Sequence, residues 1–287
     1  MTTLSYEVFP PNSTVGINHL NQVLTSLRDL SPDFISVTCN SNTKQLAHET
    51  VRVADYVEND CQVPAMAHLP AWYLSREDVD RILEQLRVCH VDRVLVLRGD
   101  ERPKLEKKTD FAHASDLIAY IKQNYPDFQI TGACYPEKHP ESLSMVDEIQ
   151  HLKLKVESGC DQIITQLFLD NHSYYRFREL CAIGGIDVPI IAGIMPVVNE
   201  RQANRILRTS AVTVPEKFKD ILAKYHILAK YHDHPQALKQ AGSTYAIDQI
   251  VDLVTNDVSG IHLYTMNHSD TARQVKQNIG SLFRVCC

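Results

Sequence analysis

Val63-Pro64-Ala65-Met66-Ala67-His68-Leu69 opens a stretch that runs through Val79, Ile82, Leu83 and Leu86 and closes on Arg93-Val94-Leu95-Val96-Leu97-Arg98. Its two ends are short apolar runs of the kind that form buried strands. Its middle repeats apolar residues at i, i+3, i+4 and i+7, the pattern of one helix face. Ser75-Arg76-Glu77-Asp78 supplies that helix with an N-cap serine and acids in its first turn. Strand, helix and strand in succession imply a parallel sheet.

The same unit recurs in both directions. Further apolar runs lie at 4–9, 33–39, 129–135, 162–169, 188–195 and 260–266. Leu20, Val23, Leu24 and Leu27 repeat the helical spacing, Ile149, Leu152 and Val156 repeat it in part, and Ser142 precedes that last run as a candidate helix start. The first seven runs recur about every 30 residues, the length of one strand–helix unit. The eighth follows after a gap of about 72 residues, which must hold extra helix. Eight units without a break favour an α/β chain folded as a (β/α)8 TIM barrel, with extra helix between strands 7 and 8 and residues 1–287 in one catalytic domain. An open doubly wound sheet is the alternative.

Composition is that of an ordinary soluble globular protein. The 287 residues are 44% hydrophobic and 22% charged, with a net charge of −6 and both signs mixed. No basic face points to nucleic acid, and no run approaches the ~20 residues of a membrane span. The first strand begins within a few residues of Met1, so no signal peptide is expected. Eight scattered cysteines, none in a C-x-x-C pair, read as reduced thiols of a cytoplasmic protein, with Cys286 and Cys287 incidental. Ile221-Leu222-Ala223-Lys224-Tyr225-His226 is repeated at once as 227–232. Six added residues turn a helix by about 240°, so the duplication belongs to an exposed helix or loop.

In a barrel the active site lies at the strand C-termini. Those ends carry Glu7, Thr38 with Asn40, His68, Arg98-Gly99-Asp100, Tyr135 with Glu137 and His139, Gln166, and Tyr264-Thr265. Taken singly, these suit turns and satisfied core positions, and Arg98-Gly99-Asp100 reads equally well as a tight turn. Glu7 and Gln166 differ because both fall inside apolar runs, where an unpartnered polar group is costly. Side chains alternate along a strand. Ser5, Glu7 and Phe9 therefore share one face, and Tyr6 and Val8 the other. If Glu7 faces the barrel interior, Tyr6 and Val8 pack on helices, and a buried Glu7 keeps its proton near neutrality, as a general acid must. Gln162, Ile164 and Gln166 likewise share a face, so Gln166 and Glu7 can reach one ligand.

Several chemistries lack their residues. There is no G-x-G-x-x-G or Walker A motif, no strand-end lysine for a Schiff base, and no H-x-H on strand one. His232-Asp233-His234 resembles a metal pair but lies in a polar loop away from the strand ends, so no metal site is expected.

Together the motifs resemble the methylenetetrahydrofolate reductase family, in its bacterial single-domain form, almost end to end. The resemblance rests on S-Y-E-V-F-P-P (5–11), S-V-T (36–38), A-H-L (67–69), L-R-G-D (97–100) and A-S-D-L (114–117). It continues through Y-P-E-K-H-P-E (135–141), L-K-x-K-V (152–156), I-T-Q-L-F-x-D (164–170), G-I-M-P-V (193–197) and L-Y-T-M-N (263–267). It implies a barrel with non-covalent FAD at the strand C-termini, reduced by NADH or NADPH. That flavin then reduces 5,10-methylenetetrahydrofolate to 5-methyltetrahydrofolate for methionine synthesis. By the same resemblance Glu7 is the general acid of ring opening and Asp100 favours the iminium cation. Thr38, His68, Arg98, Gly99, Asp100, Ala114, Tyr135, His139 and Lys155 match positions that hold FAD, and Gln166 and Gln202 match positions that hold folate. Family members are often homo-oligomers.

The chain departs from the better-known members at His268, where many carry an arginine, at Ile206, where an aromatic is common, and at His113, where tyrosine is frequent. No C-terminal regulatory region of the eukaryotic kind is expected, and with it no inhibition by an adenosyl ligand. Two rival readings remain at this point. One is a folate barrel of another class, such as a flavin-free methyl transferase. The other is a non-catalytic partner of a flavoprotein or electron carrier, which would have no use for the Glu7, Asp100 and Gln166 set. A reduced protein donor also stays open beside NADH and NADPH.

Overall fold

A computed structural model describes residues 2–11, 14–39, 48–101, 105–208, 212–222 and 235–284. Its strands are β1 Thr3–Val8, β2 Phe34–Val37, β3 Ala65–Pro70, β4 Arg93–Leu97, β5 Gln129–Cys134, β6 Gln162–Thr165, β7 Ile190–Ile194 and β8 Gly260–Tyr264. They close into a barrel in chain order, every neighbouring pair parallel, with β8 returning to β1. The helices are α1 Thr14–Arg28, α2 His48–Asp55, α3 Arg76–Val88, α4 Ala114–Asn124, α5 Met145–Glu157, α6 Asn171–Ile183, α7 Glu200–Arg208, α8 Glu216–Leu222, α9 Pro235–Thr255 and α10 Ser269–Ile279. The expected (β/α)8 barrel is therefore present, and the long gap before β8 holds α7, α8 and α9.

Near-continuous apolar strands follow from burial on both faces. Tyr6, Val8, Ile35 and Val37 join α-helical leucines and valines in the shell between barrel and helices. Phe34, Met66, Leu95, Ile164 and Ile191 point the other way and fill the barrel interior. A satellite core of Leu169, Val197, Ala203, Ile206, Phe218 and Leu238 anchors α7–α9. Gly242 on α9 lies so close to the chain after β7 that an added Cβ would sit 1.8 Å from the Val197 oxygen.

Local signals hold with one correction. Ser75 caps α3 in a reciprocal box with Asp78. The start of α5 expected at Ser142 is made by Ser144, which pairs with Asp147 in the same way. Ser142 is buried and donates to Glu148 at 2.7 Å. Asn40, residues 223–232 of the duplication, His232-Asp233-His234, Cys286 and Cys287 lie outside the described residues. Among the described residues, no helix is long and apolar enough to cross a membrane.

The rim is stitched where the ends of the barrel meet. The Asn267 side chain accepts from the Phe9 amide at 2.8 Å and donates to the Phe9 oxygen at 2.9 Å. Thr265 Oγ1 donates to the Glu7 oxygen at 2.6 Å. Met266 and Asn267 hold φ of 52° and 59° to make this turn, a left-handed conformation that non-glycine residues adopt at a cost.

Candidate active site

Glu7 faces the barrel interior, as strand parity requires once Tyr6 and Val8 face the helices. It is 8% exposed, and its carboxyl makes no side-chain hydrogen bond among the described residues. His68 Nε2 on β3 lies 3.7 Å from the carboxyl and His262 Nε2 on β8 lies 3.9 Å from it. Burial raises the Glu7 pKa from 4.5 to about 8, and burial lowers both histidines from 6.5 to about 3. The cluster is therefore a protonated carboxyl among neutral imidazoles at neutral pH. His68 Nε2 is buried without a hydrogen-bond partner among the described residues.

Below Glu7, His262 bridges two hydroxyls, with Nδ1 2.7 Å from Ser5 Oγ and Nε2 3.1 Å from Ser36 Oγ. Phe34 stacks on its ring with centroids 5.7 Å apart. Beside Glu7, Tyr264 reaches across β7 and donates to the Thr165 oxygen of β6 at 2.7 Å. Its ring has room because position 193 is glycine, and Thr165 Oγ1 accepts from the Gly193 amide at 2.9 Å. Burial, then the proximity of Glu7, pushes the Tyr264 phenol well above its ordinary value.

A cleft of about 440 Å³ opens at the C-terminal ends of β4 and β5, lined by Arg98, Gly99, Asp100, Ala114, Tyr135, His139 and Lys155. Ala114 and Ser115 bring the N-terminus of α4 into it, where amide groups favour an anion. Lys155 donates to the Ala133 oxygen at 2.7 Å, and burial lowers its pKa. Arg98 is held in a bidentate pair with Glu141 at 2.5 and 2.9 Å and lies 4.0 Å over the Trp72 ring. Its pKa is raised chiefly by that carboxylate. Tyr135 packs edge-on against His139 at 4.7 Å, and burial lifts its phenol to about 12. Glu148 fixes the connecting loop by accepting from the His139 amide and the Ser142 hydroxyl.

Gly99 turns the chain out of β4 at φ 97°, and a Cβ there would come within 3.3 Å of the Tyr73 ring. Gly99→Ala is expected to cost about 1–3 kcal/mol of stability, read from chemical denaturation. An unchanged midpoint would show that the turn relaxes freely.

The remaining sequence candidates divide. Thr38 lies at the end of β2, its amide bonded to the Val8 oxygen at 3.0 Å, outside the cleft lining. Gln166 was placed inside a strand, but β6 ends at Thr165. Gln166 is exposed, and its Oε1 accepts from the Leu167 amide at 2.9 Å. The apolar run continues past the strand because Phe168 and Leu169 enter the outer and satellite cores. Gln202 is half-buried on α7 and accepts from the Val198 amide at 2.8 Å. Ile206 is buried in the satellite core. His268 caps α10, and His113 precedes α4 with its amide on Asp116 at 2.8 Å. Sequence reading missed Ser36, Trp72, Glu141 and His262 as parts of this site. Strand parity was the available signal for two of them, since Ser36 shares a face with Thr38 and His262 with Tyr264.

A family model described as methylenetetrahydrofolate reductase matches residues 1–280. The chain is 31% identical over 279 residues to a 5,10-methylenetetrahydrofolate reductase of Pectobacterium carotovorum subsp. carotovorum, covering 96% of this chain and 90% of that one. It is 30% identical to methylenetetrahydrofolate reductase (NADH) 1 of Arabidopsis thaliana, across 97% of this chain but 48% of the plant protein. Among solved structures, an uncharacterized protein from Clostridium thermocellum, described as binding two copies of 5-methyl-5,6,7,8-tetrahydrofolic acid, superposes with a TM-score of 0.66 at 14% identity. That match covers 99% of this chain and 96% of the other, and at such identity it speaks to the fold alone.

Proposed function

The chain belongs to the methylenetetrahydrofolate reductase family, and from that membership we propose that it reduces 5,10-methylenetetrahydrofolate to 5-methyltetrahydrofolate, using non-covalent FAD and NADH or NADPH. The observation that carries this reading is Glu7, a carboxyl buried inside the mouth of the barrel with only neutral imidazoles as basic neighbours among the described residues, where burial pushes its pKa up to about 8. The product would supply methyl groups for methionine synthesis.

The cleft suits FAD. A flavin dinucleotide is long, flat and dianionic at its centre. The cleft offers an α4 N-terminus, the cations Lys155 and Arg98, and an aromatic wall at Tyr135 and His139. Gly99 leaves space that a side chain would fill. The unpartnered His68 Nε2 adds a buried polar atom at the barrel mouth. Thr38 and Asp100 complete the proposed set. A phosphate entering here competes with Glu141 for the Arg98 fork. When bound, the flavin supplies the hydride relay between nicotinamide and folate.

The chain's own groups do the proton work. Glu7 gives its proton to the folate amine, the carbon–nitrogen bond of the five-membered ring breaks, and the methylene carbon is left as an iminium cation ready for hydride. The neutral histidines offer that proton no better base than the ligand nitrogen. Asp100 favours the cation electrostatically. Gln166 and Gln202 are proposed to hold the pterin, which requires both to exchange their present backbone partners for the ligand.

The pH dependence follows from the direction of the Glu7 shift. The acid form is present below about pH 8 and lost above it. Reoxidation of reduced flavin by methylenetetrahydrofolate is expected to fall about tenfold per pH unit above that point. Stopped-flow absorbance under anaerobic conditions measures it, and a flat rate to pH 9.5 would remove Glu7 as the donor. The direct test of the function is anaerobic bleaching of bound FAD with NADH and NADPH in turn, followed by methylenetetrahydrofolate. A protein that neither takes up FAD nor transfers its electrons to the folate would exclude this reading.

A further inference from the structure

We propose that Ser5, His262 and Ser36 form a tautomer lock beneath Glu7, holding the imidazole neutral with its proton on Nδ1 and its Nε2 lone pair occupied. His262 is fully buried, and each ring nitrogen meets one hydroxyl, Ser5 Oγ at 2.7 Å and Ser36 Oγ at 3.1 Å. A neutral imidazole has one N–H, and each serine has one proton to give. Ser5 has a second acceptor, the Ile261 oxygen at 3.3 Å. Ser36 has only His262 as a side-chain partner among the described residues, and no hydrogen bond joins it to Glu7.

Two arrangements are conceivable. In the first, Nδ1–H donates to Ser5, Ser5 donates to the Ile261 oxygen, and Ser36 donates to Nε2. All three protons then have acceptors. In the second, Nε2–H donates to Ser36 and Ser5 donates to Nδ1, which strands the Ser36 proton in a buried site. An unpaired buried donor disfavours the second by roughly tenfold or more. The stacked Phe34 ring keeps the imidazole from turning to find another partner.

The consequence reaches Glu7. The titratable groups that face its carboxyl are His262 and Tyr264 from β8 and His68 from β3, while β2 offers only the Ser36 hydroxyl. With the lock closed, His262 turns no N–H toward the carboxylate 3.9 Å away. Ionised Glu7 thus gains nothing from below, and the acid stays loaded until a ligand amine takes its proton. This use of the lock rests on the reading of Glu7 as proton donor, whereas the tautomer itself does not. His262 and Ser36 are positioning residues in this scheme, acting through Glu7.

The test uses the full chain labelled with 15N-histidine, with and without FAD. The His262 signals are assigned by their loss in His262→Gln. Two-bond proton–nitrogen correlations are expected to show the neutral Nδ1–H form from pH 5.5 to 8.5. Ser36→Ala frees Nε2, so the ring can move its proton there and donate to ionised Glu7. The acid C=O infrared band of Glu7, assigned by Glu7→Gln, is then expected to disappear about one pH unit lower, a tenfold change in proton affinity. Ser36→Thr keeps the hydroxyl and should restore both readouts. A wild-type Nε2–H or doubly protonated His262, or a Ser36→Ala variant with neither readout moved, overturns the lock. If both readouts behave as expected but Glu7→Gln still reduces the folate, the lock stands and the proton-donor reading falls.

Discussion

Glu7→Gln is expected to retain flavin reduction by NADH or NADPH while losing reduction of methylenetetrahydrofolate by about 10²- to 10⁴-fold, the range a positioned general acid supplies. Glutamine fills nearly the same volume, so the barrel mouth keeps its shape while the transferable proton is gone. The two half-reactions are separable by stopped flow, and only the second should change. The substitution should also alter stability in a pH-dependent way. A folded pKa of about 8 against an ordinary 4.5 means that the folded state holds a proton the unfolded chain releases. That contribution is complete below about pH 4.5 and fades as pH rises through about 8. Glutamine carries no such dependence. The variant should therefore gain on the wild type between about pH 5 and pH 8, with an upper bound of about 5 kcal/mol from 1.36 kcal/mol per unit. Melting curves at pH 6 and pH 9 check this. Normal folate reduction would mean that Glu7 is not the donor, and a stability difference that ignores pH would mean that it is not desolvated.

Gly193→Ala is expected to give the largest structural effect of any single methyl in the barrel mouth. The added Cβ would stand 2.2 Å from the Thr165 carbonyl oxygen and 2.7 Å from the Tyr264 hydroxyl. The first neighbour is strand backbone and has nowhere to go. The second must leave, taking with it the Tyr264–Thr165 hydrogen bond that spans β8 to β6. Overpacking and the lost bond together are expected to cost about 3–5 kcal/mol, a large share of a domain's net stability. For a chain of this size that corresponds to a fall in Tm of about 10 °C. Tyr264→Phe serves as the comparison, since it removes only the hydroxyl and should cost about 1–2 kcal/mol. Equal Tm values for Gly193→Ala and wild type would show that the ring and the strand carbonyl yield at little cost.

The eight strands were legible because each is buried on both sides, so every one reads as an apolar run whatever its neighbours do. Strand ends were less so. At 162–169 the apolar signal continued for four residues after β6 stopped, since Phe168 and Leu169 are buried by helices and not by sheet. Gln166 was misplaced for that reason. The orientation of Glu7 was readable because Tyr6 and Val8 fix the opposite face. Ser36 and His262 obey the same parity, but parity gives only the face of a strand serine or histidine and not its partner, and these two partners lie 226 residues apart. Seven expected residues share one cleft, but the pairing of Arg98 with Glu141 depends on loop geometry that no periodicity encodes.

The Asn267–Phe9 stitch joins residues near opposite ends of the chain. During synthesis β1 emerges first and finds its second ladder partner only when β8 follows, some 250 residues later. Until then both β1 and β7 are edges with unpaired amides and carbonyls. Glu7 thus precedes His262 and Tyr264 by some 250 residues and acquires its complete surroundings only when β8 closes the barrel. A chain stalled anywhere between carries Glu7 without His262 or Tyr264, and its carboxyl then stays open to water and ionises as an ordinary one.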